Sequence, residues 1–529
     1  MKLLRLIGLS LAVVVVVFGC GRIGGEEEKL KITYTYPGDV EMWDHIFKVK
    51  DPYKFESVPL GVILPHHLIV AEELTEFYSG LSVVTKPKLV VVISPNHYQD
   101  GAADIQTCRN CEFQTTNGSV ELEDGFGRSL VDAGIADFED ETFIKEHGVY
   151  NHAPYIKKFF PKAEIVPIVL KWKMPKEKVE SLAEWLNENL PVDSLVVASV
   201  DFSHYIPVEA ADFHDHSSYA TIKNFDYDNV HDLEVDSPSS IYAVLKFMEK
   251  RGYKNAERFA HTNLQDYVSH RESTTSHQFF SFTKGEVAGV KSVTIGSFGN
   301  MPEDNELGLN KGWFWDINKK DLGGEGILKF LRDLRGEEDR FLAGSDFLVF
   351  DLEDEKCRVE EQNYLKIAFC EFSEVESEKN LAEQLKKIKK EKNMADAVYV
   401  LYQFKDGDRP SLTQQALAEK FTEAGVDIFI GRGLEEISPI KIYKKSLIFY
   451  SLGDLLNNAA VKTSNGLSTG IVVTPNSFFV YLFPLIITDG YPKLLDFEQR
   501  ADFLKNFVKN VSADLIKVDE KKMLVEIKR

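Results

Sequence analysis

Short apolar runs that alternate with amphipathic segments constrain the fold of this chain more than any other feature. The first half holds four such runs, at residues 61–64, 89–93, 164–170 and 194–198. Runs that are apolar on both faces are typical of strands in a covered, mostly parallel sheet. Because helical patterns such as 176–189 and 241–250 lie between the runs, we predict an α/β domain in this half.

The same alternation begins again after residue 291. Strand-like runs lie at 292–296, 347–350, 397–401, 427–430 and 446–450, and helical patterns lie at 378–390 and 411–424. At 529 residues the chain is too long for one hydrophobic core. We therefore predict two α/β domains, at 55–287 and 288–529, after a tether and N-terminal extension over residues 20–54.

The first 20 residues are typical of an export signal. Two basic residues precede an apolar run at 6–18, and Gly19 and Cys20 follow that run. This order resembles the bacterial lipobox, in which the cysteine is acylated and becomes the new N-terminus. We predict a signal peptide over residues 1–19 and an exported protein anchored to the membrane by a lipid on Cys20, on the extracytoplasmic side. A plain signal peptide or a short uncleaved anchor is the alternative.

The charge of the chain limits its partners. The formal net charge is −21, and an acidic chain lacks the basic field that nucleic-acid binding needs. We therefore expect no nucleic-acid partner. After the N-terminus there is no apolar stretch of the length that spans a bilayer, so the lipid is the expected contact with the membrane.

Cys108 and Cys111 form a CxxC pair, which could be a small-loop disulfide, a redox pair or half of a metal site. The chain has no second CxxC to complete a four-cysteine zinc site. An exported protein also meets oxidising conditions. We therefore predict a local disulfide, and leave the state of Cys357 and Cys370 open.

Histidine is confined to one part of the chain, since all 13 histidines lie between His45 and His277. Histidine is the commonest metal ligand and a frequent general base, so such chemistry is expected in the first half. In an open α/β sheet, ligands gather at the carboxyl ends of the strands. Polar motifs follow three of the predicted strands, namely Pro65-His66-His67, Ser94-Pro95-Asn96-His97-Tyr98 and Asp201-Phe202-Ser203-His204-Tyr205.

Together with Glu146-His147 and Pro154-Tyr155, these motifs resemble the Memo family, whose prokaryotic members are called AmmeMemoRadiSam system protein B. The resemblance covers about residues 55–287. It implies the α/β fold of the class III extradiol dioxygenases, which bind non-haem iron. The wall of the pocket departs from the family pattern at Tyr150, where a glutamate is usual, and at His152, where a glutamine is frequent, so the substrate is expected to differ.

The resemblance places the metal ligands on His66, His97 and Asp236. In some family members the third position holds a cysteine, and Asp236 stands there in this chain. Two histidines and a carboxylate form a triad suited to iron(II), which leaves coordination positions open. We predict a mononuclear site for a divalent metal ion, with iron(II) as the expected metal. As the alternative, Asp236 is only the N-cap of the helix that follows.

By the same resemblance, His147 and His204 take part in acid–base chemistry and Asp201 orients a histidine ring. The expected function is a dioxygenase-like or related metalloenzyme that acts on a small molecule, which the sequence does not identify. The alternative is a metal-binding or cell-envelope interaction module without turnover. His214 and His216 are expected on a surface helix or loop.

Residues 396–456 resemble the metallophosphoesterase-like CapA family of capsule polyglutamate synthesis. The resemblance is carried by the motifs at 424–431 and 447–454, and by 344–353 upstream. The family's histidine positions hold Tyr402 and the histidine-free turn 431–435. Two-metal phosphoester chemistry needs those ligands. We therefore predict an inactive CapA-like domain that serves as a scaffold or binds a partner in the cell envelope, and we do not favour polyglutamate synthesis.

Overall fold

The computed structural model describes residues 29–33, 40–172, 174–268, 272–297, 357–374, 377–453, 463–488, 491–512 and 514–529. The predicted signal peptide, Cys20 and the predicted strand at 347–350 lie outside these residues. Within the described part of the chain, no helix has both the length and the apolar character needed to cross a bilayer.

A nine-stranded mixed sheet forms the centre of the first domain. Its middle strands run parallel to one another, in the spatial order Gly61–Leu64, Ser194–Ser199, Leu89–Pro95 and Glu164–Leu170. Every residue of these strands is buried except Glu164. The predicted α/β domain is therefore confirmed, since the four apolar runs form the parallel centre of its sheet.

Shorter or antiparallel strands complete this sheet on both sides. Thr274–Thr283 pairs with Gly61–Leu64, and it also pairs with Asn255–Asn263 and His204–Ile206. The opposite edge contains Ile105–Thr107 and Asp137–Phe138. A separate three-stranded sheet contains Leu30–Ile32, Cys111–Thr115 and Gly118–Val120.

Helices cover both faces of the sheet. Alternate side chains of each strand point to opposite faces, and the apolar side chains on each face pack against the helices on that side. One apolar cluster joins Ile63, Val91 and Val196 to helices on one face, and another joins Val62, Val90 and Val197 to helices on the other face. The helices of this domain are Val40–Ile46, Ala71–Val84, Asp124–Asp132, His147–Tyr150, Ala153–Phe159, Lys176–Asn189, Val208–Asn224, Pro238–Arg251 and Leu264–Tyr267, with 3₁₀ turns at Leu68–Val70, Asp140–Ile144 and Val230–Asp232.

The second domain packs two sheets face to face around one apolar core. One sheet has a parallel centre, in the order Cys357–Gln362, Leu365–Ser373, Ala397–Gly407, Ile428–Leu434, Ser446–Phe449 and Lys441–Tyr443. The other is antiparallel, in the order Val293–Ser297, Thr463–Val473, Ser477–Thr488, Leu524–Lys528 and Ile516–Asp519, with Tyr491–Leu494 paired to Ser477–Thr488. The described helices are Glu378–Lys392, Leu412–Ala424 and Phe497–Val508.

Helix Val208–Asn224 lies between the two domains, and the expected surface position of His214 and His216 is wrong. The side chain of His214 is fully buried. The ring of His216 packs against Phe479 of the second domain, with ring centroids 4.9 Å apart. The helix is polar in sequence although it is largely buried, and Asp212 and Glu209 find their partners in the second domain.

Candidate metal centre

The polar residues of the first domain converge at the carboxyl edge of its parallel strands. His66, Asp201 and His97 follow strands Gly61–Leu64, Ser194–Ser199 and Leu89–Pro95, which are adjacent in the sheet. Neighbouring strands are about 4.8 Å apart, so side chains that follow them can meet although they are distant in sequence. This arrangement is the one that the three sequence motifs predict.

Asp236 reaches the same place from the segment before helix Pro238–Arg251. Its Oδ2 lies 3.2 Å from Nε2 of His66 and 3.7 Å from Nε2 of His97. The helix cap is Ser237, whose side chain accepts the backbone N–H of Ser240. Asp236 is therefore not the N-cap residue, and its carboxylate is directed to the two histidines.

The ring of His66 is fixed by Ser199. The hydroxyl of Ser199 donates to the carbonyl oxygen of Gly148 at 2.7 Å, and its oxygen lies 2.9 Å from Nδ1 of His66. Because the only hydroxyl proton is committed to Gly148, Nδ1 of His66 must be the donor to Ser199. Nε2 of a neutral His66 then carries a lone pair, and it faces Asp236.

The ring of His97 is fixed by Glu146, a fully buried side chain at the start of helix His147–Tyr150. Oε1 of Glu146 lies 2.7 Å from Nδ1 of His97, and Oε2 accepts the backbone N–H of His97 at 2.9 Å. A carboxylate can only accept here, so Nδ1 carries the proton and Nε2 points to Asp236. Carboxylates that hold metal-ligating histidines in this way set both the tautomer and the ring orientation.

Asp201 holds the backbone beside the site. Its Oδ1 accepts the backbone N–H of His66 at 3.0 Å and that of His67 at 3.3 Å. Its Oδ2 lies 3.4 Å from Nε2 of His66. We predicted that Asp201 orients a histidine ring; in the structure Ser199 and Glu146 make the contacts that do so.

His147 lies next to both predicted histidine ligands. Its ring stacks on His97 with centroids 4.1 Å apart, and its centroid is 5.3 Å from that of His66. His66, His97 and His147 each offer one nitrogen, and these atoms lie within 4.8 Å of one another; the same holds for atoms of His66, Asp201 and Asp236. The geometry therefore offers His147 and Asp201 as further ligand candidates beside the predicted trio.

His204 lies on the other side of Asp201, in strand His204–Ile206. It is half-buried, and its ring lies 5.7 Å from that of Tyr205. Tyr205 itself has a positive φ of 55°, a conformation that non-glycine residues seldom adopt. Burial raises the pKa of Asp236, and His204 is one of the neighbouring groups that oppose this shift.

The pKa shifts of the cluster follow from burial and from the close approach of carboxylates to histidines. Burial lowers the pKa of His66 well below its usual value, and burial raises the pKa of Asp236. Burial opposes the charged form of His97 as well, but the contacts with Asp236 and Glu146 raise its pKa to about 10. A proton on His97 is thus the cation that these carboxylates hold when no metal ion is bound.

The donor set fits a divalent metal ion. Oδ1 of Asp236 is buried and has no hydrogen-bond partner among the described residues. Imidazole nitrogens and carboxylate oxygens are ligands that iron(II), zinc and related ions accept. The side chain of His66 is 2% exposed and that of His97 is 21% exposed, so the site can be reached from the side of His97.

Sequence reasoning missed the roles of Ser199 and Glu146, and it missed a second histidine pair. Nδ1 of His67 lies 3.0 Å from Nε2 of His277, which is fully buried at the middle of strand Thr274–Thr283. His67 directly follows His66 in sequence, and this adjacency could have indicated that His67 lies at the same edge of the sheet. His277 gave no signal, because only the sheet pairing brings it to this edge.

Both cysteine pairs of the described residues are disulfides. Cys108 is joined to Cys111, the pair for which we predicted a local disulfide. Cys357 is joined to Cys370, directly across the paired strands Cys357–Gln362 and Leu365–Ser373 of the second domain. Asp140 lies beside the first pair, but disulfide sulfurs are not thiolates and cannot serve as metal ligands.

The structure describes two positions of the second domain at which the family resemblance predicts a histidine. The ring of Tyr402 is buried and stacks on Phe429, with centroids 5.6 Å apart. Arg432 lies in the turn where the family resemblance predicts a histidine. Its Nη1 lies 3.9 Å from Oε1 of Glu371. Among the described residues, the groups with metal-ligand spacing lie in the first domain.

The fold and the cluster define the first half of the chain as a Memo-like α/β domain with a candidate metal site, and the comparison with known proteins agrees on the family. The family model "Memo-like protein" matches residues 41–279, and the family model "Bacterial capsule synthesis protein PGA_cap" matches residues 333–459. The chain therefore combines a Memo-like domain with a CapA-like domain, which confirms both resemblances.

Curated relatives are similar to the first domain. A MEMO1 family protein of Caldivirga maquilingensis is 27% identical over 239 residues, which is 42% of this chain and 83% of the relative. A MEMO1 family protein of Pyrobaculum aerophilum is 25% identical over 243 residues, 43% of this chain and 85% of the relative. The solved structure of the uncharacterised protein JW3007 from Escherichia coli K12 covers 41% of this chain and 98% of its own, at 11% identity and a TM-score of 0.29, which is too low to support an argument.

Proposed function

We propose that the Memo-like domain binds one divalent metal ion through His66, His97 and Asp236, with iron(II) as the preferred metal, and that the site is catalytic. Nε2 of His66 carries the proposal. It faces carboxylate oxygens of Asp236 at 3.2 Å and of Asp201 at 3.4 Å. The one proton of the neutral ring is on Nδ1, which donates it to Ser199. Acceptors that face one another in a buried place repel unless a proton or a metal cation lies between them.

A bound divalent ion supplies Lewis-acid chemistry and, if it is iron(II), redox chemistry. The protein does the positioning. Ser199 and Glu146 fix the two imidazole rings, and Asp201 fixes the backbone of His66 and His67. His147 and His204 are the groups at the site that can exchange a proton with a bound substrate. A small molecule is the substrate class that we propose.

Metal analysis tests the site. Protein purified without oxygen and loaded with iron(II) should retain about one ion per chain, as a mononuclear site requires. Asp236→Ala should lose the ion on dialysis. Asp232→Ala is the matched control, because this exposed carboxylate lies four residues away in the same segment. Metal-free wild-type protein, or full retention by Asp236→Ala, would refute the proposed ligand set.

Oxygen uptake separates the enzyme from the alternative, a metal-binding module without turnover. Iron-loaded protein should consume oxygen with a member of a panel of catechols and related hydroxylated rings, the substrates that the dioxygenase resemblance suggests. His204→Gln should lower that rate while it leaves the bound metal unchanged. A protein that holds iron but consumes no oxygen with any member of the panel would favour the module.

We also propose that the chain is exported and anchored by a lipid on Cys20, and that its CapA-like domain binds a partner in the cell envelope. The support is the basic, apolar and Gly19-Cys20 order of the first 20 residues. Two acyl chains are enough for stable attachment, at about 0.8 kcal/mol per buried methylene. Wild-type protein from a lipoprotein-competent host should partition into detergent and Cys20→Ser should not. Equal partitioning of the two would contradict the anchor.

A further inference from the structure

The helix Val208–Asn224 belongs to the first domain, but the second domain covers it. Its apolar side chains pack against the antiparallel sheet of the second domain. The contact is close, since a Cβ on Gly470 would lie 2.9 Å from the ring of Phe213. Phe213 also contacts Tyr481, with ring centroids 5.7 Å apart. The two domains are thus docked through a packed core on this helix.

Asp212 places a buried carboxylate at this contact. Its two oxygens accept hydrogen bonds from Nζ of Lys522 and from the hydroxyl of Tyr481, each at 2.6 Å. Both donors come from the second domain, and the Asp212 side chain is 3% exposed. A buried carboxylate is stable only with such partners, so the first domain alone leaves Asp212 without them.

Asp215, one turn along the same helix, connects this contact to the metal centre. Its Oδ2 lies 2.6 Å from Nε2 of His261, which is also 3.7 Å from Asp212. Its Oδ1 accepts the hydroxyls of Ser276 at 2.9 Å and of Ser203 at 3.4 Å. Asp212 and Asp215 therefore lie one turn apart on the same helix but contact different parts of the protein. Asp212 is held by the second domain, and Asp215 contacts the segments beside the metal site.

Ser203 and Ser276 lie within the structure that positions Asp201. The backbone N–H of Ser276 donates to the carbonyl of Ser203 at 2.9 Å, and the N–H of Phe202 donates to the carbonyl of Ser276 at 3.0 Å. Asp201 is the preceding residue, and its carboxylate holds the backbone of His66. A continuous chain of contacts thus joins Lys522 to the ligand His66.

A second ion pair fixes the start of the same helix. Nε of Arg500 lies 2.7 Å from Oε1 of Glu209, and both side chains are almost fully buried. Nη1 of Arg500 is 3.1 Å from Glu272, whose other oxygen accepts the backbone N–H of Phe497 at 2.8 Å. The second domain therefore contacts buried carboxylates of the helix at two positions, Glu209 and Asp212. Two such contacts define both the position of the helix and its rotation about its axis.

We infer that the CapA-like domain is a positioning element for the metal centre, and that Lys522 and Tyr481 are the residues through which it acts. This inference rests on the proposed metal function. When Lys522 and Tyr481 hold Asp212, the helix presents Asp215 to Ser203 and Ser276. The segment from Asp201 to His204 is thereby held in the position in which it keeps His66 and Asp236 facing each other. A domain in which the described residues include no metal-ligand cluster thereby supports the site of its neighbour.

The test measures metal affinity in full-length Lys522→Met and Tyr481→Phe. Each should bind iron(II) about tenfold more weakly than wild type, the low end of the effect of residues that support metal ligands. Lys522→Arg should restore binding, because it keeps a cation at Asp212. Lys505→Met is the matched control: it removes an exposed ion pair with Glu520 at 3.3 Å in the same domain. Tyr481→Phe removes one hydroxyl with little change of shape, so it keeps the test open if Lys522→Met does not fold.

Hydrogen exchange provides a readout that needs no metal. The backbone amides of Phe202 and Ser276 should exchange faster in Lys522→Met and Tyr481→Phe than in wild type and Lys505→Met. Unchanged exchange and unchanged metal affinity in folded variants would overturn the inference. If wild type binds no metal but the exchange of these amides still responds, the proposed function fails while the positioning role stands.

Discussion

The fully buried His152 should make the stability of this protein sensitive to mild acid. Nδ1 of His152 lies 3.0 Å from the hydroxyl of Tyr78, and Nε2 has no partner among the described residues. Burial lowers the pKa of His152 to about 4. In the unfolded chain an imidazole has a pKa of about 6.5. The unfolded state therefore binds a proton that the folded state rejects between these two values.

The sign and size of the effect follow from this difference. Because the folded-state pKa is the lower one, the contribution of His152 is favourable above about pH 6.5 and is lost as the pH falls towards 4. One pKa unit corresponds to about 1.4 kcal/mol. The loss of free energy of unfolding should reach about 1.4 kcal/mol at pH 5.5 and about 2.5 kcal/mol at pH 4.5, relative to pH 7.5.

The perturbation is His152→Gln, which places a neutral amide where the Memo-family pattern often has one. Urea unfolding followed by tryptophan fluorescence, in a chelator and at pH 7.5, 5.5 and 4.5, gives the free energies. The variant should lose about 2.5 kcal/mol less than wild type between the first and last pH. His45→Gln is the control, because that side chain is 70% exposed. If the wild-type and His152→Gln curves run parallel with pH, the reasoning is refuted, whatever their offset at pH 7.5.

Three further predictions concern the metal centre, the second disulfide and the second domain. Glu146→Gln should weaken metal binding about 10- to 100-fold in equilibrium dialysis, because His97 loses the carboxylate that orients it; a change under about twofold would contradict that role. The double variant Cys357→Ser with Cys370→Ser should be about 3 kcal/mol less stable than wild type without reductant, since the two cysteines are 13 positions apart in sequence. Equal stability of the two proteins would show that the disulfide does not constrain the unfolded chain. Full-length Asp236→Ala should hydrolyse no phosphoester with added manganese, because Tyr402 and Arg432 replace the expected ligands, and activity above buffer would restore a catalytic role to the second domain.

The sequence alone determined the class of fold and the place of the site. The four apolar runs are strands at 61–64, 89–95, 164–170 and 194–199 because residues buried on both faces leave few other arrangements. The carboxyl ends of parallel strands share one edge, so His66, His97 and Asp201 meet without any knowledge of side-chain contacts. That Asp236 joins them was implied by the family resemblance, and the alternative role as a helix cap was still open.

The tertiary structure decided which groups support the site. Glu146 contacts His97 across 49 positions in sequence, and Ser199 contacts His66 across 133. No local pattern marks such pairs, since each depends on rotamers and distances of about 3 Å between distant segments. The cap on Ser237 in place of Asp236 is a difference of one residue, which sequence reasoning does not resolve at helix ends.

Helix Val208–Asn224 shows the limit most clearly. Charged side chains are almost never fully buried unless they are paired, so the polar segment around His214 and His216 is expected at the surface from the sequence alone. The partner that reverses this expectation for Asp212 is Lys522, 310 positions away in the other domain. The sequence carries both halves of that pair, but only the docking of the two domains brings them to 2.6 Å.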